Sequence, residues 1–306
     1  MYQIISDGSC DLGTENAERF GIHVVPFYVS MDGQHYKKEI EEIGVLEFYQ
    51  QMIDHPEMTP KSSLPSVQDF LNAFLVYAQQ GLDIICLCIT TKFSGAYNSA
   101  MSAREMVLER YPGIEIAVID TTVNTVLQGL LAIETAKMKA AGLSFEQTVS
   151  RIEAIKKTGR IFFTIENMDY LVKGGRAGKV AGMITSRFSL KPVIVLKEGE
   201  IFLGGIARGR KKSLEKVIQK GHEYFQENGL DPGNFSFAVG VGYNRQEGEP
   251  FQEEVIRDFG GRISREEIPI RQIGATIGVH TGPRPIGYGV IEKWDSPSLD
   301  WKNKSN

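Results

Sequence analysis

The chain has 306 residues, of which 42% are hydrophobic and 24% are charged, proportions that are ordinary for a globular protein. This length is enough for two domains that each bury a core of their own. The formal net charge of −4 does not favour nucleic acid as a partner, because general binding to nucleic acid depends on an excess of positive charge.

Neither a targeting segment nor a membrane span is predicted from the sequence. The first residues, MYQIISDGSCDL, lack the basic stretch and the long apolar stretch of a signal peptide. No segment reaches the roughly 18 consecutive apolar residues that a transmembrane helix needs. We therefore expect a cytoplasmic protein without stable membrane insertion, which has to enclose any lipid that it handles.

The first half of the chain alternates short apolar segments with amphipathic ones, which is typical of a parallel sheet with helices on both faces. Strands are predicted at Tyr2–Ser6, Ile22–Val29, Asp83–Ile89 and Glu115–Ile119, and helices at 44–54, 66–80, 95–110, 126–141 and 144–158. We therefore predict a three-layer α/β domain over residues 1–158.

The second half has a different pattern, and we predict an α+β domain with a mixed, partly antiparallel sheet over residues 159–306. Strands are predicted at Arg160–Thr164, Pro192–Leu196, Glu200–Gly205, 235–242 and 262–269, and helices at 166–173, 179–188 and 210–227. The second and third strands are joined by Lys-Glu-Gly, which predicts a hairpin. The last segment, SPSLDWKNKSN, is expected to be a frayed end.

Two polar loops in the first half combine helix capping with potential ligand contacts. The segment Ser6–Leu12 follows the first strand, and its Asp and Ser residues suit a helix cap at least as well as a ligand. In KSSLPS, Ser66 with Asp69 resembles a capping box. Capping does not account for Ser62 and Ser63, whose hydroxyls remain available to bind a ligand.

Two further loops carry stronger candidates for binding an anion. Ser94 and Gly95 lie where an apolar strand ends and a helix begins, and the free N–H groups of a helix start favour a carboxylate or a phosphate. Near the end of the chain, His280 is flanked by glycines and a turn, so its ring can supply a hydrogen bond to an anion. Three cysteines are too few for a disulfide framework, and we expect neither a metal nor a cofactor.

Five segments in chain order resemble motifs of the DegV family. That family has an Asp-Ser-rich first turn, a Thr-Ser-Gln-Pro-Ser segment, a Ser-Gly-Thr-Tyr motif that opens a helix, a Tyr-Leu-x-x-Gly-Gly-Arg motif and a late His-x-Gly-Pro-Gly. The corresponding segments here are SDGSCDL, KSSLPS, FSGAYNSA, YLVKGGR and HTGPR. The resemblance extends from Ser6 to Gly289, almost the whole chain.

The resemblance implies a bound long-chain fatty acid, with its tail in an apolar tunnel and its carboxylate near the domain junction. Carried over to this chain, the carboxylate-binding positions are Ser62 and Ser63, Ser94 with Gly95 behind it, and His280. It also implies that an ATP-dependent fatty acid kinase phosphorylates the carboxylate while the binding protein holds it. The chain would then take part in phospholipid metabolism without performing a complete reaction itself.

Two arginines are assigned to supporting roles by the same resemblance, and two segments depart from the family pattern. Arg176 corresponds to the arginine of Gly-Gly-Arg and is expected to shape the site, and Arg208 to contribute to docking of the kinase. Leu64 replaces the usual Gln, and Arg284 with Pro285 replaces the usual Gly-Ala. A long cation at Arg284 would either crowd the carboxylate site or add a partner to it.

Two enzymatic alternatives remain open from the sequence. One is a hydrolase or acyltransferase with Ser94 as nucleophile, His280 as base and Asp7 or Asp120 as the orienting acid. The other is a phosphotransfer or sugar-kinase subunit in which His280 is modified covalently.

Overall fold

The computed structural model describes residues 1–180 and 190–299, with only the backbone of Lys179. The strands are β1 Tyr2–Asp7, β2 Ile22–Val25, β3 Tyr28–Ser30, β4 Lys37–Lys38, β5 Lys61–Ser63, β6 Asp83–Cys88, β7 Ile116–Asp120, β8 Arg160–Thr164, β9 Leu190–Lys197, β10 Glu200–Arg208, β11 Phe235–Val241, β12 Ile270–Gln272 and β13 Ile286–Glu292. The helices are α1 Gly13–Arg19, α2 Val45–Asp54, α3 Val67–Ala78, α4 Ala96–Arg110, α5 Thr125–Ala140, α6 Phe145–Ile155, α7 Asp169–Lys173, α8 Arg210–Glu227, α9 Gly248–Asp258 and α10 Ala275–Thr281.

A parallel sheet with the strand order β2-β1-β6-β7 organises the first half of the chain. Successive residues of a strand point to opposite faces, so the apolar segment of β6 supplies both sides. Ile84 and Cys86 pack with α3 and α4, whereas Ile85 and Leu87 pack with α5 and α6. The predicted sheet covered on both faces is therefore confirmed.

Helices α3 and α4 illustrate how local sequence produces this layer. Helix α3 begins at a capping box in which the Ser66 side chain accepts from the Asp69 N–H and the Asp69 carboxylate accepts from the Ser66 N–H, as predicted. The buried side of α4 contains Ala96, Ala100 and Ala103 at helical spacing. Such small side chains let α4 approach α3 and the sheet closely.

A six-stranded mixed sheet with the order β10-β9-β8-β13-β11-β12 organises the second half. Neighbouring strands are antiparallel except for β11 and β12, which are parallel. Phe162, Phe237 and Tyr288 form a core with α8 and α9 on one face of this sheet. The predicted α+β pattern with a mixed sheet is confirmed.

Helix α5 lies against both sheets and is almost entirely buried. Small residues of the mixed sheet, among them Ala238 and Gly289, face this helix. A Cβ on Gly289 would stand 3.2 Å from the Cβ of Leu127, so glycine allows the helix to pack directly on the strand. The N-terminal end of α5 therefore lies at the junction of the two sheets.

Several predicted elements differ from the structure. The single strand predicted over Ile22–Val29 is two strands in different sheets, because Pro26 lacks the N–H that a continuing strand needs. The strand predicted over 262–269 is wrong: the segment forms turns, in which the Glu267 carboxylate accepts from the Ser264 N–H, and the strand begins at Ile270. Helix α7 begins only at Asp169.

Several elements were not predicted, among them β4, β5, α9, α10 and β13. The predicted hairpin is confirmed, with Glu198 and Gly199 both in the left-handed region, as a two-residue turn requires. All but the first two positions of the helix predicted at 179–188, and most of the C-terminal segment, lie outside the described residues. The division at 158 and 159 stays a prediction, and β8 begins next to it at Arg160.

Over residues 1–180 and 190–299, no helix has both the length and the apolar character needed to cross a bilayer.

Candidate functional site

A mainly apolar cavity lies between the carboxyl ends of the parallel strands and the α5-facing side of the mixed sheet. In open parallel sheets this edge is where ligands bind. Within the cavity, the space open to the centre of a water molecule is about 210 Å³. Its apolar wall is formed by Phe27, Leu64, Ile89, Phe93, Val126, Ile161, Phe163, Leu171, Leu196, Ile201, Ile273, Ile277 and Pro285, with Gly240 and Gly287.

Polar side chains predicted from the sequence also line this cavity. They are Ser62, Ser63, Ser94, Arg176 and His280. Ser62 and Ser63 come from β5, and His280 comes from α10, which packs against β5. The Oγ of Ser62 is 3.0 Å from the Nε2 of His280, so two of the predicted residues are in direct contact.

The ring of His280 has a defined hydrogen-bonding state. Its Nδ1 is buried and has no hydrogen-bond partner among the described residues, and it faces Gly174, where a Cβ would stand only 2.3 Å away. A buried N–H without an acceptor is rarer in proteins than an acceptor without a donor. We therefore assign the ring proton to Nε2, which donates to the Ser62 oxygen and leaves the Ser62 hydroxyl free to donate to a ligand.

The positive charge beside His280 comes from Arg176 and Lys61 and not from the histidine itself. Burial, followed by the positive charges of Arg176 and Lys61, lowers the pKa of His280 to about 4. His280 is therefore neutral at pH 7, and the same shift shows that two cations act on its ring. Arg176 is held in place because its Nε donates to the Phe93 carbonyl and its Nη1 to the Gly174 carbonyl, at 3.0 and 2.7 Å.

Ser94 and Gly95 form the start of α4, as predicted. The Ser94 oxygen accepts from the Ala96 N–H at 3.2 Å, so its hydroxyl hydrogen remains available to a ligand. Gly95 is the N-cap residue and does not line the cavity. A Cβ on Gly95 would only touch Leu64 at 3.5 Å, so this position does not require glycine for space.

The remaining predicted residues lie elsewhere. Arg284 lines a separate cavity with Tyr170, Lys173 and Pro283, and does not line the cavity that contains His280. The expectation that Arg284 crowds the carboxylate site or contacts it is therefore not met, because Arg284 belongs to the other cavity. Arg208 is exposed at the end of β10.

The residues of the hydrolase alternative are not brought together as a triad. His280 contacts Ser62 instead of Ser94. Asp7 is bonded to Ser9, Gln128 and the Ile89 N–H, and Asp120 to Thr91 and Thr122. Because Nδ1 of His280 has no acceptor among the described residues, neither aspartate orients the ring.

Four polar residues of the cavity wall were missed by the sequence interpretation. They are Asn124, Thr125, Thr276 and Thr281. The Oδ1 of Asn124 is buried without a hydrogen-bond partner in the described part of the chain, and this side chain does not cap α5. Asn124 and Thr125 follow β7, so the rule that ligands bind beyond the carboxyl ends of parallel strands would have found them.

The fold and the cavity place the chain in the class of α/β proteins that enclose a mainly apolar cavity with a polar part. The family model described as "Uncharacterised protein, DegV family" matches residues 1–293. The chain therefore belongs to the DegV family, and the resemblance found in its motifs is confirmed.

Known proteins are similar to this chain in sequence, and solved structures are similar to it in fold. A DegV domain-containing protein of Clostridium perfringens is 30% identical over 283 residues, which are 92% of this chain and 94% of that protein. A stearic acid-binding protein from Eubacterium ventriosum is 44% identical and has a TM-score of 0.91, with 96% of this chain and 99% of that chain covered. A fatty-acid-binding DegV family protein from Thermus thermophilus is 26% identical, with a TM-score of 0.83 and coverages of 95% and 99%.

Proposed function

We propose that this protein binds one long-chain fatty acid, with the acyl tail in the apolar cavity and the carboxylate at Ser62, Ser63, Ser94 with Gly95 behind it, and His280. The observation that carries the proposal is the hydrogen-bonded pair of Ser62 and His280 in the wall of an otherwise apolar cavity. The similar proteins whose structures contain or bind fatty acids support the same ligand class.

The cavity wall and the polar residues contribute differently to binding. Burial of a 16-carbon tail at roughly 0.8 kcal/mol per CH₂ supplies ample gross binding energy, which depends little on particular side chains. The polar groups then determine the orientation of the ligand. Ser62 and Ser94 each have a hydroxyl hydrogen to donate, and a carboxylate offers two acceptor oxygens.

The electrostatic arrangement favours an ionised carboxylate. Arg176 and Lys61 provide positive charge near the ring of His280, which itself is neutral at pH 7. Arg176 does not contact a carboxylate of the protein in the described residues, because its Nε and Nη1 donate to carbonyl groups. Its charge is therefore available to the ligand, which agrees with a supporting role for Arg176.

We further propose that the protein presents the carboxylate to a cytosolic, ATP-dependent fatty acid kinase and performs no complete reaction alone. Arg208 and the start of α8 form an exposed basic surface suited to an acidic partner. Arg210 is paired with Glu247, whereas no ion pair within the described residues involves Arg208, Lys211 or Lys212. The division into residues 1–158 and 159–306 belongs to this proposal, with the cavity at the junction.

Native mass spectrometry of the purified protein, followed by solvent extraction and lipid analysis, tests the proposed ligand. We expect one fatty acid per chain, between about 14 and 20 carbons long, since such tails make burial in an apolar cavity favourable. A ligand-free mass that stays unchanged after incubation with stearate, palmitate and oleate would contradict fatty-acid binding. Pull-down of a kinase with wild-type protein but not with the Arg208→Glu variant tests the proposed partner separately.

A further inference from the structure

Glu39 is a buried acid that binds the beginning of α10. Its side chain is 3% exposed, and its carboxylate accepts hydrogen bonds from the Ala275 N–H at 2.5 Å, the Thr276 N–H at 3.2 Å and the Thr276 hydroxyl at 2.6 Å. The N-cap residue of α10 is Gly274, which has no side chain to satisfy these groups. Glu39 lies 235 positions or more before this helix and replaces the local cap.

Asp11 is a second acid at the same place. A Cβ on Gly274 would stand 2.4 Å from Oε1 of Glu39 and 2.5 Å from Oδ1 of Asp11, so these two oxygens are less than about 5 Å apart. Glycine at position 274 is therefore needed for both carboxylates to approach α10. The other oxygen of Asp11 accepts from the Thr125 hydroxyl at 2.5 Å, at the start of α5.

The two acids differ in the hydrogen bonds that stabilise a negative charge. Glu39 accepts three, whereas Asp11 accepts two, from the Thr125 hydroxyl and from the Gly274 N–H. The pKa of Asp11 is raised well above its ordinary value, first by burial and then by the charge of Glu39. The other titratable groups around the pair are Asp7, Cys10 and Tyr49, and a cation acting on this group is Arg271, which interacts with Cys10. No ion pair of the described residues joins a cation to Asp11 or Glu39.

Helix α10 connects this pair to the cavity. Thr276, Ile277 and His280 lie on its cavity side, and His280 reaches Ser62 from one turn beyond Thr276. A shift of the beginning of α10 would therefore move the His280 ring away from Ser62. The backbone around the pair is also held in left-handed conformations, at Asp11, at Ile40 next to Glu39, and at Thr125.

We infer that Glu39 and Asp11 are positioning residues that fix α10 and thereby hold His280 against Ser62. Neither residue lines the cavity, so both act through α10 and not on the ligand. The role in ligand binding rests on the proposed fatty-acid function, whereas the positioning of the His280 ring can be measured without any ligand.

The test compares Glu39→Gln and Asp11→Asn with Glu134→Gln as the matched control. Glu134 is an equally buried carboxylate that accepts from Ser236, Trp294 and Lys137, but it lies outside the cavity wall. The first measurement is the ¹H–¹⁵N spectrum of the His280 ring in delipidated protein. The second is the Kd for stearate, together with urea unfolding of each variant.

We expect Glu39→Gln to replace the single Nε2–H form of His280 by averaged ring signals and to raise the Kd for stearate about tenfold. Asp11→Asn should change the ring signals and the Kd less than Glu39→Gln does, because Asn keeps an acceptor oxygen and because Glu39, not Asp11, binds the Ala275 and Thr276 N–H groups. Glu134→Gln should lower stability while leaving both the ring signals and the Kd unchanged.

Unchanged His280 signals in Glu39→Gln, or equal changes in Glu134→Gln, would overturn the positioning role. If Glu39→Gln does not fold, two variants of Thr276 provide the test. Thr276→Val removes the hydrogen bond from the Thr276 hydroxyl to Glu39, whereas Thr276→Ser keeps a hydroxyl. The ring signals of His280 should change only in the Val variant. Wild-type protein that shows the Nε2–H form but binds no stearate would contradict the proposed function and leave the positioning role standing.

Discussion

The Oγ of Ser62 and the Nε2 of His280 are 3.0 Å apart, although 218 positions separate the two residues in the chain. The contact joins β5 to α10 beside the apolar cavity. Because Nδ1 of the ring faces Gly174 and finds no acceptor among the described residues, the histidine donates to Ser62 and the hydroxyl of Ser62 points its hydrogen elsewhere. The pair is thus arranged to offer one hydrogen bond to an anion.

Ser62→Ala removes this donor and leaves the apolar wall intact. We expect the Kd for stearate to rise about tenfold. A hydrogen bond to a charged group contributes about 1.5–3 kcal/mol, and in the variant a water molecule takes over part of this hydrogen bonding. The fatty acid should still copurify, because the tail supplies most of the binding energy. Isothermal titration with delipidated protein measures the Kd. Ser102→Ala, at an exposed position of α4, is the control and should bind as wild type does.

Gly174→Ala places a methyl group 2.3 Å from Nδ1 of His280 and 2.9 Å from the Tyr170 carbonyl. We expect a loss of stability of about 1–3 kcal/mol through overpacking and, in addition, weaker binding of stearate because the ring is displaced from Ser62. Urea unfolding and titration measure the two effects. Gly113→Ala is the matched control, because a Cβ at that position meets nothing within 4 Å. Wild-type affinity in Gly174→Ala would contradict the packing role of this glycine.

The burial of His280 makes the stability depend on pH. Its pKa falls from the ordinary 6.5 to about 4 in the folded protein, so the unfolded chain binds more protons between these values. The contribution is fully present above pH 6.5 and is lost as the pH falls to 4, by up to about 3 kcal/mol. Urea unfolding at pH 7 and at pH 4.5 should show this loss in the wild type and a smaller one in His280→Gln. His55→Gln, at an exposed histidine, should retain the wild-type dependence.

Gly240 lines the apolar part of the cavity, where we propose that the acyl tail lies. A Cβ there would stand 3.2 Å from Ile273 and from Val126, which also line the wall. We expect Gly240→Ala to shift the copurifying fatty acids toward shorter chains, because the added methyl group occupies volume that a longer tail needs. Lipid analysis after extraction provides the measurement. An unchanged distribution of chain lengths would show that the tail does not reach Gly240.

Exchange of Arg176 tests the electrostatic part of the site. Arg176→Gln removes a positive charge near His280 and near the proposed carboxylate position. We expect a Kd for stearate that is about three- to tenfold higher, and a weaker dependence of the Kd on salt, since screening acts on the lost interaction. The pKa of His280 should rise because a nearby cation no longer lowers it. Lys211→Gln, on the exposed start of α8, should change neither quantity.

Local sequence patterns were sufficient for most of the first half of the fold. The apolar strand β6 and the amphipathic helix α3, with its capping box, are each encoded within a few neighbouring residues. The strand β13 was missed because Gly287 and Gly289 weaken its local signal, and its pairing with β8 and β11 supplies the stabilisation instead. The false strand over 262–269 contains buried Ile263 and Ile268, which sit in turns and not in a ladder.

The sequence by itself determined the family, the alternation of sheet and helix, and the kinds of residue that meet at the cavity, because motifs and hydrophobic periods are local properties of the chain. Only the tertiary structure decided that His280 contacts Ser62 and not Ser94, that Arg284 belongs to another cavity, and that Glu39 caps α10. These contacts join segments that are far apart in the chain, and the packing of both sheets around α5 establishes them.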